Sequence, residues 1–255
     1  MSSALIAGLV VAGLFLLIAI GYLNQLVERN NLEKARRRAD LSDRMRRCAT
    51  LSRNFPGQMM TPRLKLLLAR LELFLGEQLK PLDRANPILS TRLTELRSAM
   101  EKGDEIAIEN PPVQILSEAS AKEARLQLED LHALIVWAAK QNQLETEAAK
   151  RWLVDVQHML VMLHVEYFNN HGKAALQQKN PHKARLAFER GVQYIRRQKD
   201  QAAYQPHLQQ LEASYKHASQ LEQKQPGPSL EEPSELVEGL KDFEGEDDWK
   251  INNIY

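Results

Sequence analysis

Apolar and polar positions follow three different rhythms along this chain. From Met1 to Val27 there is no Asp, Glu, Lys, Arg or His, and Ala4 to Leu23 is a run of twenty residues, nearly all apolar or glycine. At about 1.5 Å per residue, a helix of that length covers the roughly 30 Å hydrocarbon core of a bilayer. The second rhythm, apolar side chains every three or four residues, begins after Thr61-Pro62, a capping hydroxyl followed by a proline in the first turn. Leu64, Leu67, Leu68, Leu71, Phe74, Leu75 and Leu79 then make one stripe as far as Pro81. A shorter helix is expected from about Ile88 to Glu101, with Gly103 just past its end. Beyond residue 116 the same rhythm returns with Leu128, Leu131, Leu134, Ile135 and Ala138, preceded by Ser120 and Glu123 as an expected capping box. It resumes in Ala149, Trp152, Leu153, Val156, Met159, Leu160, Leu163 and Tyr167. A last helix is expected from about His207 to Lys224. The third rhythm is the absence of one: from residue 226 the chain is acidic, rich in proline and glycine, and poor in apolar side chains.

No run alternates apolar and polar residues over strand length between turn residues, so the expected fold class is all-α. The expected divisions are a transmembrane anchor at 1–27, a basic helical stalk at 28–55, and a helical hairpin region at 57–103. A linker at 104–116 around Asn110-Pro111-Pro112 follows, then an antiparallel helical domain at 117–225 and an acidic disordered tail at 226–255. The first three residues carry no Lys or Arg ahead of the apolar run, which favours a retained anchor over a cleaved signal peptide although Ala19-Ile20-Gly21 is a passable cleavage site.

Charge orients this arrangement. The whole chain balances 34 basic against 33 acidic residues, a net of +1, but residues 28–53 hold nine bases against four acids. By the positive-inside rule everything after residue 28 is expected in the cytoplasm of a bacterial cell, behind a single-pass inner-membrane anchor. Arg36, Arg37, Arg38, Arg44, Arg46 and Arg47 are the candidate contacts to an anionic membrane surface; the competing and favoured expectation is that these bases only set topology and solvate a helix. Ala4, Gly8 and Ala12 recur every fourth residue, a candidate face for homodimer contact in the membrane.

At Phe168 the chain resembles a tetratricopeptide repeat, a helix-turn-helix unit used for protein docking, over about residues 166–197. Phe168 and Gly172 match its aromatic and small positions. Ala175, the break Gln178-Lys179-Asn180-Pro181, and then Ala184, Phe188 and Gly191 follow in the run NPHKARLAFERGVQYI. Ala184, Phe188 and Gly191 share one helical face, where small residues admit a partner helix and Phe188 fills the gap. The departures are His171 where the family prefers leucine, Ala175 where tyrosine is usual, and no closing proline near Arg196. The whole chain is also similar to a group of bacterial anchored proteins labelled DNA-repair ATPases. It has neither a GxxxxGK[ST] loop nor a strand to carry one, so ATP hydrolysis is not expected.

Candidate chemistry is sparse. The single cysteine, Cys48, excludes a disulfide scaffold and a multi-thiolate zinc site; Leu41 and Met45 at helical spacing make it a packed thiol rather than a redox or acylation site. His164 and His171, two turns apart, lie about 10.5 Å from each other along a helix, too far to share one ion. No acid, base and nucleophile converge by spacing, so no enzyme, metal or cofactor is expected. The tail is the strongest functional signal. Residues 226–255 carry nine acids and two bases yet end in Asp247-Asp248-Trp249-Lys250-Ile251-Asn252-Asn253-Ile254-Tyr255. Trp249, Ile251, Ile254 and Tyr255, with Asp247 and Asp248, are the candidate contacts to a protein partner; folding back onto the chain's own domain, where residues 1–225 hold a net of +8, is the competing expectation. The expected function is that of a non-enzymatic membrane-anchored adaptor. A nucleic-acid or DNA-repair role of the basic stalk is the alternative, with nucleic acid disfavoured because those bases crowd against a membrane.

Overall fold

The computed structural model describes residues 3–83 and 85–224, with side chains from Gly21 onward. Seven α-helices make up its regular structure, with two short 3-10 turns and, among the described residues, no strand. They are α1 (Ser3–Asn54), α2 (Pro62–Leu79), α3 (Pro87–Glu101), α4 (Glu118–Lys140), α5 (Thr146–Gln177), α6 (Pro181–Arg196) and α7 (Gln205–Lys224). The chain divides into two compact units, Met1–Ala49 with Leu66–Ile106, and Thr50–Lys65 with Ala107–Tyr255. Among the described residues no helix is long and apolar enough to cross a membrane. The expected span at residues 4–23 falls mostly on residues whose helical backbone is described but whose side chains lie outside the described set, and the Ala4, Gly8 and Ala12 face lies there entirely.

In the first unit the leucine stripe of α2 is buried, with Leu68, Leu71 and Leu75 inaccessible or nearly so. Gly76 lets Leu93 of α3 and Met45 of α1 approach; a Cβ there would stand 2.5 Å from Leu93 Cδ2. Glu72, 1% exposed, breaks the stripe. Its carboxylate accepts two hydrogen bonds from Arg92, at 2.7 Å from Nε and 2.9 Å from Nη2, the bidentate geometry that suits a buried carboxylate. Cys48 is fully buried beside it. Desolvation first, and the Glu72 charge second, push its thiol up to about 12, so it remains a protonated packing group.

In the second unit the segment after residue 106 is extended but firmly held. Asn110 Nδ2 donates to the carbonyls of Ser52, Arg53 and Phe55 at the end of α1, and Lys65 Nζ donates to Asn110 Oδ1 and to the Ser52 carbonyl. Asn110 thereby satisfies carbonyls that the helix terminus leaves without intrahelical partners. Helix α4 starts earlier than expected. The reciprocal cap is made by Ser117 and Ser120, not by Ser120 and Glu123. Ser117 has the extended backbone of an N-cap and its Oγ accepts from Ser120 N at 3.2 Å, while Ser120 Oγ accepts from Ser117 N at 3.1 Å. A second serine does the work usually given to Glu, and it leaves Ser120 and Glu123 inside the helix.

Helices α4 to α7 then pack in order, each antiparallel on the next. Two of the three connections turn on non-glycine residues in left-handed backbone, Asn142 (φ 55°) after α4 and Lys179 (φ 57°) after α5. Each closes a Schellman motif. Asn142 N and Gln143 N donate to the Ala139 and Ala138 carbonyls, and Lys179 N and Asn180 N donate to those of Leu176 and Ala175.

Candidate functional site

The α5–α6 hairpin is built from two glycines and two phenylalanines. A Cβ on Gly172 of α5 would lie 2.4 Å from the Phe188 ring, and one on Gly191 of α6 would lie 3.0 Å from Phe168 Cβ and from Leu211 of α7. Each helix therefore presents an aromatic to the other's bare backbone. Ala175 and Ala184 are buried beside them, Ala184 completely. Val161, Val165, Val192, Ile195, Leu208 and Leu211 complete this core. Helix α6 is set at its start by Asn180, whose Oδ1 accepts from Lys183 N at 3.0 Å, and by Pro181, whose missing N–H costs nothing there.

This packing sorts the cations of α6 onto two sides. Arg185 donates to Glu222 at 2.6 Å and to Glu189, His182 contacts Glu222 at 2.6 Å, and Arg196 pairs with Glu212 at 2.7 Å. Those groups tie α6 to α7. Lys183, Arg190 and Arg197 are spaced by seven and fall within about 40° of one another around the helix axis, a stripe about 21 Å long. Lys183 and Arg190 lie on the side nearer α5, where both act on His171, and Lys183 and Arg197 are exposed. The α5 residues next to the stripe register its field. His171, half-buried, is held below its usual range by desolvation first and by Lys183 and Arg190 next. The Tyr167 hydroxyl is raised by burial and by Glu118, with Arg190 opposing.

A polar cluster is buried between α5 and α6. His164 of α5 is 2% exposed, and its Nδ1 stands 2.7 Å from the hydroxyl of Tyr194 on α6. Arg125 of α4, 7% exposed, pairs with Glu129 at 3.1 Å. Desolvation, aided by the Arg125 charge, lowers His164 to about 4, so its imidazole is neutral near pH 7. The neutral His164 ring, bonded to Tyr194, ties α5 to α6, and the charge of Arg125 on α4 bears on that ring. Nearby, His158 stacks on Tyr204 with ring centroids 5.4 Å apart.

The other candidate residues fall as follows. Arg36, Arg37, Arg38, Arg46 and Arg47 are exposed on α1 and Arg44 is half-exposed. Arg44 pairs with Asp40, Arg46 and Arg47 pair with Asp43, and Arg38 reaches Asp83 at 2.9 Å. Two hydrogen bonds from Arg47 and Arg46 hold the Asp43 carboxyl below its usual range. Asp247, Asp248, Trp249, Ile251, Ile254 and Tyr255 lie outside the described residues. Among the described residues no group of three His, Cys, Asp or Glu side chains gathers where it could hold a metal. No protein-family model, curated protein or solved structure matches the chain.

In the sequence the α6 stripe shows only as bases at positions 183, 190 and 197, a weaker pattern than the apolar spacing of the same helix. Arg125 was missed because it occupies an apolar position between Ala121 and Leu128 and reads as a surface charge.

Proposed function

We propose that this chain is a non-enzymatic, membrane-anchored adaptor in which helices α4–α7 form a tetratricopeptide-like docking module and the acidic tail supplies a linear motif. In this reading residues 4–23 span the membrane and the +5 flank places the rest in the cytoplasm. The observation that carries the proposal is the consecutive antiparallel packing of α4–α7. Its central hairpin closes through Gly172 on Phe188 and leaves Lys183, Arg190 and Arg197 spaced along α6. Stacked helix pairs of this kind bury a core on one side of each helix and expose a long surface on the other, the geometry used for peptide docking.

The partner contact is assigned to Trp249, Ile251, Ile254 and Tyr255. Trp249 is the largest apolar side chain in the tail, and its burial in a groove would contribute a few kcal/mol. The flanking acids, Asp247 and Asp248 among them, would speed encounter with a basic surface through screened attraction. The test is crosslinking in living cells followed by capture from membrane extracts at low and high salt. Trp249→Ala is expected to abolish the captured partner at both salt concentrations, and Asp247→Asn with Asp248→Asn to weaken capture at low salt only. Capture that survives Trp249→Ala refutes the motif, and capture that survives deletion of residues 226–255 refutes any part for the tail.

A further inference from the structure

We infer that the Lys183–Arg190–Arg197 stripe of α6 is the docking site of the chain's own acidic segment, residues 231–248, folded back in cis from the end of α7. Three observations converge on this occupant. The first is charge: residues 173–224 carry ten basic side chains against four acidic ones, whereas residues 226–255 carry nine acids against two bases. Two of the four acids in the basic region, Glu212 and Glu222, are engaged with Arg196 and Arg185 on the α7 side of α6, away from the stripe.

The second is the point of exit. Glu222, in the last turn of α7, contacts His182 and Arg185 in the first turns of α6, so the described chain ends at Lys224 near the N-terminus of α6, about one helix width around from Lys183. The third is reach. Residues 225–230 extend up to about 20 Å, enough to pass the roughly 10 Å width of a helix and deliver Glu231 to Lys183. The acids from Glu231 to Asp248 then exceed the stripe's own length of about 21 Å even when far from fully extended. Lys183 and Arg190 both act on His171 of α5, and Arg190 acts on Tyr167 against Glu118, which sets these two cations along the α5 side of α6.

A tail tethered this close has an effective concentration in the millimolar range, so modest ion-pair affinity suffices to keep the face covered. The inference does not depend on the adaptor reading: the stripe would bind the tail even if no partner were ever captured, and a captured partner does not by itself place the tail on α6.

The test uses the full chain in a nonionic detergent. A carbodiimide joins lysine amines to carboxylates in direct contact, and peptide mass spectrometry identifies the linked residues. Links from Lys183 and Lys179 to acids within 231–248 are expected in the monomer band. They should be independent of protein dilution and lost at about 0.5 M salt, where the screening length falls to a few ångströms. In parallel, a labelled peptide of residues 226–255 should bind a chain lacking those residues about tenfold more tightly than it binds the full chain, since the tethered tail competes. Lys183→Glu, at an exposed position in the first turn of α6, should weaken that binding several-fold while leaving the melting profile unchanged. Links found only in a dimer band, or not at all, overturn the inference. So does equal peptide binding by the two chains. A short DNA duplex that binds the stripe and resists displacement by the peptide would assign the surface to nucleic acid instead.

Discussion

Replacing Gly172 by alanine sets two effects of known sign against each other. Alanine favours the interior of α5 over glycine by about 0.8–1.0 kcal/mol. Against that, the added methyl would lie 2.4, 2.5 and 2.8 Å from Cε1, Cζ and Cδ1 of Phe188, whereas carbon atoms in favourable contact stand about 3.5–4.0 Å apart. The ring must retreat by about 1 Å in a core where Phe188 is almost wholly buried. Overpacking of this kind costs about 1–3 kcal/mol, so Gly172→Ala is expected to destabilise by up to about 2 kcal/mol once the helix gain is subtracted. In a Phe188→Leu background two of the three contacting atoms, Cε1 and Cζ, have no counterpart. There the same change should stabilise by up to about 1 kcal/mol, and the coupling between the two sites should be about 1–3 kcal/mol. Pulse proteolysis of the full chain across a urea series reads this as a difference of about 0.5 M or more in midpoint for a slope near 2 kcal/mol/M. If Gly172→Ala shifts the midpoint equally in both backgrounds, the two residues do not meet and the hairpin assignment fails.

Other outcomes follow from the same packing. Ala184→Leu, at a position with no exposure, should cost about 1–3 kcal/mol, and Lys183→Leu on the exposed side should not; equal melting temperatures would refute the assignment of faces. The His164 value is depressed from 6.5 to about 4 in the folded state. Its contribution, on the order of 3 kcal/mol, is therefore present above pH 6.5 and lost as pH falls through 4. Urea midpoints taken from pH 7 to pH 4 should show that loss, and a slope unchanged in His164→Gln would disprove its origin. For the anchor, a reporter active only in the cytoplasm should function when fused after Tyr255; periplasmic activity, or recovery of a chain beginning near residue 22, would sink the membrane reading.

How much of this was legible beforehand depended on whether a residue's role is local. The start of α2 was, because Thr61 and Pro62 act on their own first turn: Thr61 Oγ1 accepts from Leu64 N at 3.2 Å. Gly172, Ala184 and Phe188 were singled out because small and aromatic residues at helical spacing have few uses other than close approach. Glu72 was not, since nothing near it in sequence announces that Arg92, twenty residues on, folds over to neutralise it. Asn110 looked like part of a spacer because its partners at Ser52, Arg53 and Phe55 are more than fifty residues away. The cap of α4 was misplaced by three residues because two serines offered equivalent hydroxyls, and only the extended backbone at Ser117 chooses between them.

The turn between α5 and α6 has a consequence for how this molecule is weighted between robustness and use. Left-handed backbone after a helix is ordinarily filled by glycine, or by asparagine, as Asn142 does after α4. After α5 the same geometry holds a lysine, exposed at φ 57°, which costs about 1 kcal/mol that glycine would not. Lys179 precedes Lys183 by four residues and is exposed like it. A charge kept at the expense of a more comfortable backbone is the trade expected if Lys179 belongs to the proposed docking row. Lys179→Gly should thus make a tougher protein with a poorer grip on acidic segments.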